Sequence, residues 1–319
     1  MSTSVSSYSP QPTARSPPQR DAVEIVDVGP RDGLQSDAVV LPTATKLELI
    51  ARLIDAGVRR IEVASFVHPK KVPQMADAEA VFAGLSKRSD VQFIGLVLNR
   101  KGFDRALAAG CSDISMVTAA TDEFGIRNQG ASIAESTADW QAIAPLARTA
   151  NMRAEITISV SFGCPFAGEV DPQRVVDIAQ QMATAEPNAI VLADTIGVAV
   201  PAQVRELFTR VRAAVPSHIA LRAHFHNTRN TAVANAQAAL DVGVRSFDAS
   251  VGGIGGCPFA PNATGNVASE DLLYLFERSG YRCTVDLARM IDTAKWLGQQ
   301  LGKEMPSMLS RAGGWPKVK

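Results

Sequence analysis

What most constrains this chain is an alternation. Eight β-rich runs recur between residues 24 and 250 of its 319, each followed by a helical pattern. The runs are Glu24–Val28, Arg60–Ser65, Gln92–Leu98, Asp113–Thr118, Ala154–Val160, Ala189–Ala193, Ala220–His224 and Ser246–Ser250. Strands separated by helices pair in parallel, and eight such units predict closure as a (β/α)8 TIM barrel. An open doubly wound sheet expects fewer strands and an early G-x-G-x-x-G, which is absent. A weak internal repeat supports the unit. Ala56-Gly57-Val58, Ala109-Gly110-Cys111 and Val242-Gly243-Val244 each close a helix just before a strand, where glycine suits a left-handed helix end.

Two helix starts are legible. Thr45 with Glu48 predicts a capping box, after which Leu47, Ile50, Leu53 and Ile54 share one face. Asp171-Pro172 supplies an N-cap and a proline at the first helical position. The first 20 residues are rich in Ser and Pro and lack any acid. Four prolines spoil the amphipathic helix of a transit peptide, so residues 1–21 are expected to be a disordered tail. A single α/β barrel domain is expected over 22–302, with a C-terminal extension over 303–319.

Hydrophobic residues make up 46% of the chain, so a large core can form. Lys+Arg and Asp+Glu both number 32. That balance argues against nucleic acid or an anionic membrane as partner, since both demand a basic surface. No apolar run approaches the roughly 20 residues needed to span a bilayer. Cysteines 111, 164, 257 and 283 form no C-x-x-C pair and no zinc spacing. With no signal peptide and a Lys-Val-Lys end, a reducing cytoplasm is the expected location.

Barrel enzymes place their chemistry at the C-terminal strand ends, and polar residues collect there. Strand one runs into Gly29-Pro-Arg-Asp-Gly-Leu-Gln35, which delivers Arg31 and Asp32. Strand two carries Glu62, strand six ends in Asp194, and strand seven ends in His224-Phe-His226. Residues two apart on a strand point the same way, so both imidazoles face the barrel mouth. Asp32 joins them across the closure. Two imidazoles and a carboxylate suit a divalent cation with open positions, Mn²⁺ or Mg²⁺.

Strand eight leads into Gly252–Asn266, which holds five glycines and two prolines in 15 residues. Such a segment is either a phosphate cradle or a lid with glycine hinges. Within it stands Cys257, a thiol outside any apolar stripe and suited to proton transfer if its surroundings tune it.

Taken together, GPRDGLQ, IEVASFVHPKKVPQM (61–75), DTIGV (194–198), HFH and GGIGGCPFAPNATGNVASEDL resemble the 3-hydroxy-3-methylglutaryl-CoA lyases. These belong to a metal-dependent TIM-barrel lyase and synthase superfamily, and the resemblance spans about 23–302. It implies cleavage of a tertiary 3-hydroxyacyl-CoA to acetyl-CoA and a keto acid, acetoacetate in the type reaction of leucine degradation. It implies Asp32, His224, His226 and Asn266 as ligands of Mg²⁺ or Mn²⁺. By the same resemblance Arg31 stabilises the enolate, Cys257 protonates its carbon, and Glu62 and Asp194 are active-site carboxylates. Gln35 is read as substrate-binding, and relatives suggest a homo-oligomer, a dimer or larger.

One stretch departs from the pattern. Where these lyases continue Asp-Thr-Tyr-Gly after the histidines, this chain has Asn227-Thr228-Arg229-Asn230. The change makes the site mouth more positive by about two charges. Either Arg229 recognises a substrate carboxylate or a CoA phosphate, with an acyl group other than hydroxymethylglutaryl, or it is a solvated residue at a helix start. The alternatives are a lyase for citramalyl-CoA or a longer-branched 3-hydroxyglutaryl-CoA, a condensing synthase, and a catalytically dead binding barrel. Synthases usually read RDGEQ where Leu34 stands here, and they carry further C-terminal domains.

Overall fold

A computed structural model describes residues 21–256 and 265–316. The eight strands are β1 (Glu24–Asp27), β2 (Arg60–Ser65), β3 (Gln92–Val97), β4 (Asp113–Ala119), β5 (Arg153–Ser159), β6 (Ala189–Asp194), β7 (Ala220–Phe225) and β8 (Ser246–Ala249). All pair in parallel in sequence order, and β8 closes on β1, giving the expected barrel. Each strand ends within one residue of its sequence-based position.

Between β1 and β2 lie the π-helical turn Gly29–Gly33 and α1 (Thr43–Asp55). Then follow α2 (Ala78–Gly84), α3 (Arg100–Ala108), α4 (Asp122–Asn128), α5 (Ile133–Thr149), α6 (Pro172–Ala183), α7 (Pro201–Ala214) and α8 (Ala232–Asp241). After β8 come α9 (Ser269–Arg278), α10 (Leu287–Leu301) and the short α11 (Leu309–Ala312). Gly57, Gly110 and Gly243 have φ of 103°, 78° and 95°, the left-handed geometry that the repeated return loop requires. Asp171 caps α6 as expected, accepting from the Gln173 N–H at 2.9 Å.

The capping box at Thr45 does not form. α1 starts three residues earlier, with Pro42 in the N-cap position and no side-chain cap. Asp77 explains this, since it accepts from Thr43 Oγ1 at 2.7 Å and from Lys46 Nζ at 2.5 Å and so ties the first turn to the next unit. Glu48 pairs instead with Arg52 at 2.7 Å along the exposed face. The chain beyond Gly302 folds back on the barrel. Met305 and Ser307 are buried, and the Ser307 N–H donates to the Gly252 carbonyl at 3.2 Å.

Apolar side chains fill the layer between sheet and helices: Ile61, Ile114, Ile156, Ile190 and Phe247 point outward and are fully buried. The barrel interior differs. Bulky branched residues usually fill it, whereas here Arg60, Glu155, Arg222 and Asp248 do, each under 10% exposed. Arg222 pairs through Nη1 with Glu155 Oε2 at 2.6 Å and through Nε with Asp248 Oδ1 at 2.8 Å. The other Glu155 oxygen meets Arg60. Alternating charge thus crosses the barrel from β2 to β8, above a cavity of about 290 Å³ at its N-terminal end.

Candidate active site

At the opposite, C-terminal end opens a cavity of about 1240 Å³. The turn Gly29–Gly33 presents Arg31 and Asp32 to it. Asp27, at the end of β1, holds that turn. It accepts from the Gly29 N–H at 2.8 Å through one oxygen and from Ser269 Oγ at 2.7 Å through the other. Burial pushes the Asp27 carboxyl up to about 7 against the opposing pull of Ser269 and Gly29. The glycines of the motif have a steric cause. A Cβ at Gly33 would stand 2.7 Å from Ile254 and 2.8 Å from Ser250 Oγ, so the turn could not lie against the segment after β8.

Arg31 lies between two carboxylates. Its Nη1 donates to Asp32 Oδ1 at 2.6 Å, and its Nε and Nη2 grip Glu62 Oε2 at 2.6 and 2.5 Å. Burial raises the Glu62 carboxyl above its usual value although Arg31 opposes this. Burial also disfavours charge on Asp32, yet Arg31, His226 and His224 hold it well below the usual carboxylate range. Gln35 Oε1 accepts from Ser65 Oγ at 3.1 Å on the cavity wall.

His224 and His226 enter from β7 and the residue after it, with ring centroids 5.2 Å apart. Their Nε2 atoms lie 3.9 and 3.6 Å from Asp32 Oδ2. Asn266 bridges antiparallel to His226, and its Nδ2 donates to the same Asp32 oxygen at 2.8 Å. Ligand atoms of Asp32, His224 and His226 all fall within 4.8 Å of one another. His226 Nδ1 is a buried polar atom with no hydrogen-bond partner among the described residues. Two imidazoles, an ionised carboxylate and an adjoining amide, converging on one open cavity, fit a hard divalent cation.

Two expected residues stand away from the cavity. Asp194 is 1% exposed, and its two oxygens accept the Val198 and Ala199 N–H groups at 2.9 and 3.0 Å, closing its own loop. It is absent from the cavity wall, and burial raises its carboxyl although those N–H groups oppose it. Arg229 does not reach the cavity either. Its Nη1 donates to the Ile196 and Gly197 carbonyls at 3.1 and 2.9 Å, so its guanidinium braces the loop after β6. Cys257 lies outside the described residues.

Sequence reasoning missed Asp248 and Asp27. Asp248 stands between His224, whose Nδ1 lies 3.1 Å from its Oδ2, and Arg222, whose Nε lies 2.8 Å from its Oδ1. Burial works against its charge, while Arg222 and His224 hold its carboxyl below the usual value. Burial likewise opposes charge on His224, yet Asp248 and Asp32 keep that imidazole above the usual histidine range. The available signal was parity: Asp248 alternates with Ser246 and Ser250 on the strand beside His224.

A closed parallel barrel with a histidine–carboxylate cluster at its C-terminal mouth defines a class, the TIM-barrel enzymes with a site fit for a divalent cation. Comparison with known proteins narrows it. The family model described as HMGL-like matches residues 22–297. An (R)-citramalyl-CoA lyase from Chloroflexus aurantiacus is 44% identical over 309 residues, covering 93% of this chain and 97% of that protein. A hydroxymethylglutaryl-CoA lyase from Pseudomonas mevalonii is 41% identical over 292 residues, with coverages of 92% and 96%. The crystal structure of hydroxymethylglutaryl-CoA lyase from Pseudomonas aeruginosa matches with a TM-score of 0.88 and 40% identity, over 93% of this chain and 98% of that one. A structure of an HMG-CoA lyase from Acinetobacter baumannii, in complex with coenzyme A and 3-methylmalate, matches with a TM-score of 0.89 and 36% identity, over 96% and 99%. The chain belongs to the HMGL-like family, and it is a carbon–carbon lyase.

Proposed function

We propose that this lyase cleaves hydroxymethylglutaryl-CoA to acetyl-CoA and acetoacetate with Mg²⁺ or Mn²⁺ bound at Asp32, His224, His226 and Asn266. The observation that carries the reading is the convergence of Asp32, His224 and His226 within 4.8 Å beside the Arg31–Glu62 pair. The bound cation supplies Lewis-acid polarisation, which acidifies the tertiary hydroxyl of the substrate.

The chain's own groups do the rest. Breaking the carbon–carbon bond leaves negative charge on the thioester oxygen, and Arg31 is the fixed cation at the cavity wall. Glu62 and Asp32 lock its guanidinium, so little reorganisation accompanies the charge as it develops. Cys257 is assigned the proton delivered to the enolate carbon. Lys71 and Lys101 line the outer cavity, where they can meet CoA phosphates. Ser115 and Thr157 offer hydroxyls to the acyl carboxylate deeper in.

A second reading replaces the substrate by citramalyl-CoA, with pyruvate as the keto product. It is favoured by the 44% identity to the Chloroflexus aurantiacus (R)-citramalyl-CoA lyase. The deciding experiment offers both thioesters to the purified protein with Mn²⁺ and follows acetyl-CoA, acetoacetate and pyruvate by mass spectrometry. Rapid acetoacetate formation, abolished by EDTA, supports the first reading. Turnover confined to citramalyl-CoA replaces it with the second. Turnover of neither by a metal-loaded protein overturns both.

A further inference from the structure

We propose that Asp248 is a positioning residue for the metal centre: it fixes the His224 imidazole as the Nδ1–H tautomer, leaving the Nε2 lone pair facing Asp32. This rests on the reading of Asp32, His224 and His226 as ligands, and it assigns the tautomer on grounds of hydrogen-bond capacity. His224 Nδ1 lies 3.1 Å from Asp248 Oδ2, and the other Asp248 oxygen lies 2.8 Å from Arg222 Nε. Arg222 is ion-paired with that oxygen and does not deprotonate in proteins, so Asp248 stays an ionised carboxylate, which can only accept from the imidazole. The imidazole must then be the donor at Nδ1. Its Nε2, 3.9 Å from Asp32 Oδ2, is left as the free lone pair. Histidine ligands generally owe ring orientation and basicity to such a partner.

Asp248 cannot swing away. Arg222 is held by Glu155 at 2.6 Å, and Glu155 by Arg60, so side chains from three other strands anchor the carboxylate from below. His226 lacks any such support. Its Nδ1 has no hydrogen-bond partner among the described residues, and its backbone is held instead, by the Asp194 carbonyl and the bridge to Asn266. The two histidines therefore differ in how firmly their tautomers are set.

The test is ¹⁵N NMR on full-length, histidine-labelled, metal-free protein, with its four histidines assigned by single His→Gln variants. At a pH high enough for its own ¹⁵N shifts to show a neutral ring, wild-type His224 should carry its proton on Nδ1. In Asp248→Asn, Arg222 takes the amide oxygen and the amide NH₂ faces Nδ1, which must then accept. The proton moves to Nε2, and Mn²⁺ affinity read by EPR falls about 10–100-fold. A wild-type His224 protonated on Nε2 overturns the inference, as does an Asp248→Asn protein with unchanged tautomer and unchanged Mn²⁺ affinity. The wild-type spectrum decides even if the variant does not fold. An Nδ1–H His224 in a protein that binds Mn²⁺ but cleaves neither thioester supports this inference and sinks the proposed substrates. Failure of the wild type to bind Mn²⁺ overturns the ligand reading and the inference with it.

Discussion

Replacing Glu155 by Gln asks whether the barrel's charged interior is a tightly coupled structure or a hydrated channel. Glu155 is fully buried and is shared by Arg222 and Arg60, whose side chains are 3% and 10% exposed. Glutamine keeps the shape and removes the charge, leaving both guanidiniums short of one anion. Breaking a buried pair by removing one partner costs about 3–5 kcal/mol. Here the lower end applies, because Arg222 retains Asp248 at 2.8 Å and Arg60 retains Glu24 at 3.1 Å. Asp113 offsets part of the loss. Burial and then Glu155 raise its carboxyl to about 7, so removing the Glu155 charge lets Asp113 ionise more readily. The expected penalty is about 3 kcal/mol at neutral pH, a melting temperature lowered by about 4–5 °C for a chain of 319 residues. Burial opposes the Glu155 charge, but Arg222 and Arg60 hold the folded carboxyl below its usual 4.5. Its contribution is therefore complete above 4.5 and is lost as pH falls through the folded value, so the penalty must shrink in acid. Urea titration followed by tryptophan fluorescence, alongside calorimetry at neutral and acid pH, measures this. A loss below about 1 kcal/mol at neutral pH would refute the reasoning, because it would mean that water in the cavity at the N-terminal end already solvates the guanidiniums.

Three further outcomes are expected. Asp27 has a folded pKa of about 7 against an ordinary 3.8, so the stability it contributes is complete below 3.8 and is lost as pH rises through about 7. Asp27→Asn should accordingly overtake wild type in melting temperature above pH 7, and parallel curves across that window would count against burial as the cause. Gly255 has φ of 125°, and a Cβ there would stand 2.6 Å from Asn266 Nδ2. Gly255→Ala should displace that amide and weaken Mn²⁺ binding about tenfold by EPR, whereas unchanged affinity would remove Asn266 from the ligand set. Arg31→Lys keeps the charge but loses the planar fork gripping Glu62 and Asp32. Steady-state kinetics should show kcat down about 10²–10³ with a smaller change in KM, and a loss under tenfold would leave another group as the enolate stabiliser.

What the sequence revealed and what it hid separate along a physical line. Strand positions and the inward aim of His224 and His226 follow from a period of two, which is local and is printed in the chain. Asp32 could be joined to them because barrel closure makes strands one and eight neighbours, and the structure pairs Val26 with Asp248. Asp248 needed one more quantity, the register of β7 against β8, which sets His224 directly opposite it. Register depends on the packing of two strands, so parity could put Asp248 on one face with Ser246 and Ser250 but could not show that it stands opposite His224. Arg229 failed for the opposite reason. Its charge was visible, but its partners are the Ile196 and Gly197 carbonyls, backbone groups that any sequence offers. Asp194 likewise bonds backbone N–H groups of its own loop. Candidate ligands stand out in a sequence because metal chemistry restricts residue type, while their supports do not, because a support is defined by who stands opposite. In this barrel the supports are themselves charged, and the row from Arg60 through Glu155 and Arg222 to Asp248 ends on a metal-site histidine. Stability of the interior and aim of the ligand therefore rest on the same four side chains, and a substitution anywhere along the row should be felt at both ends.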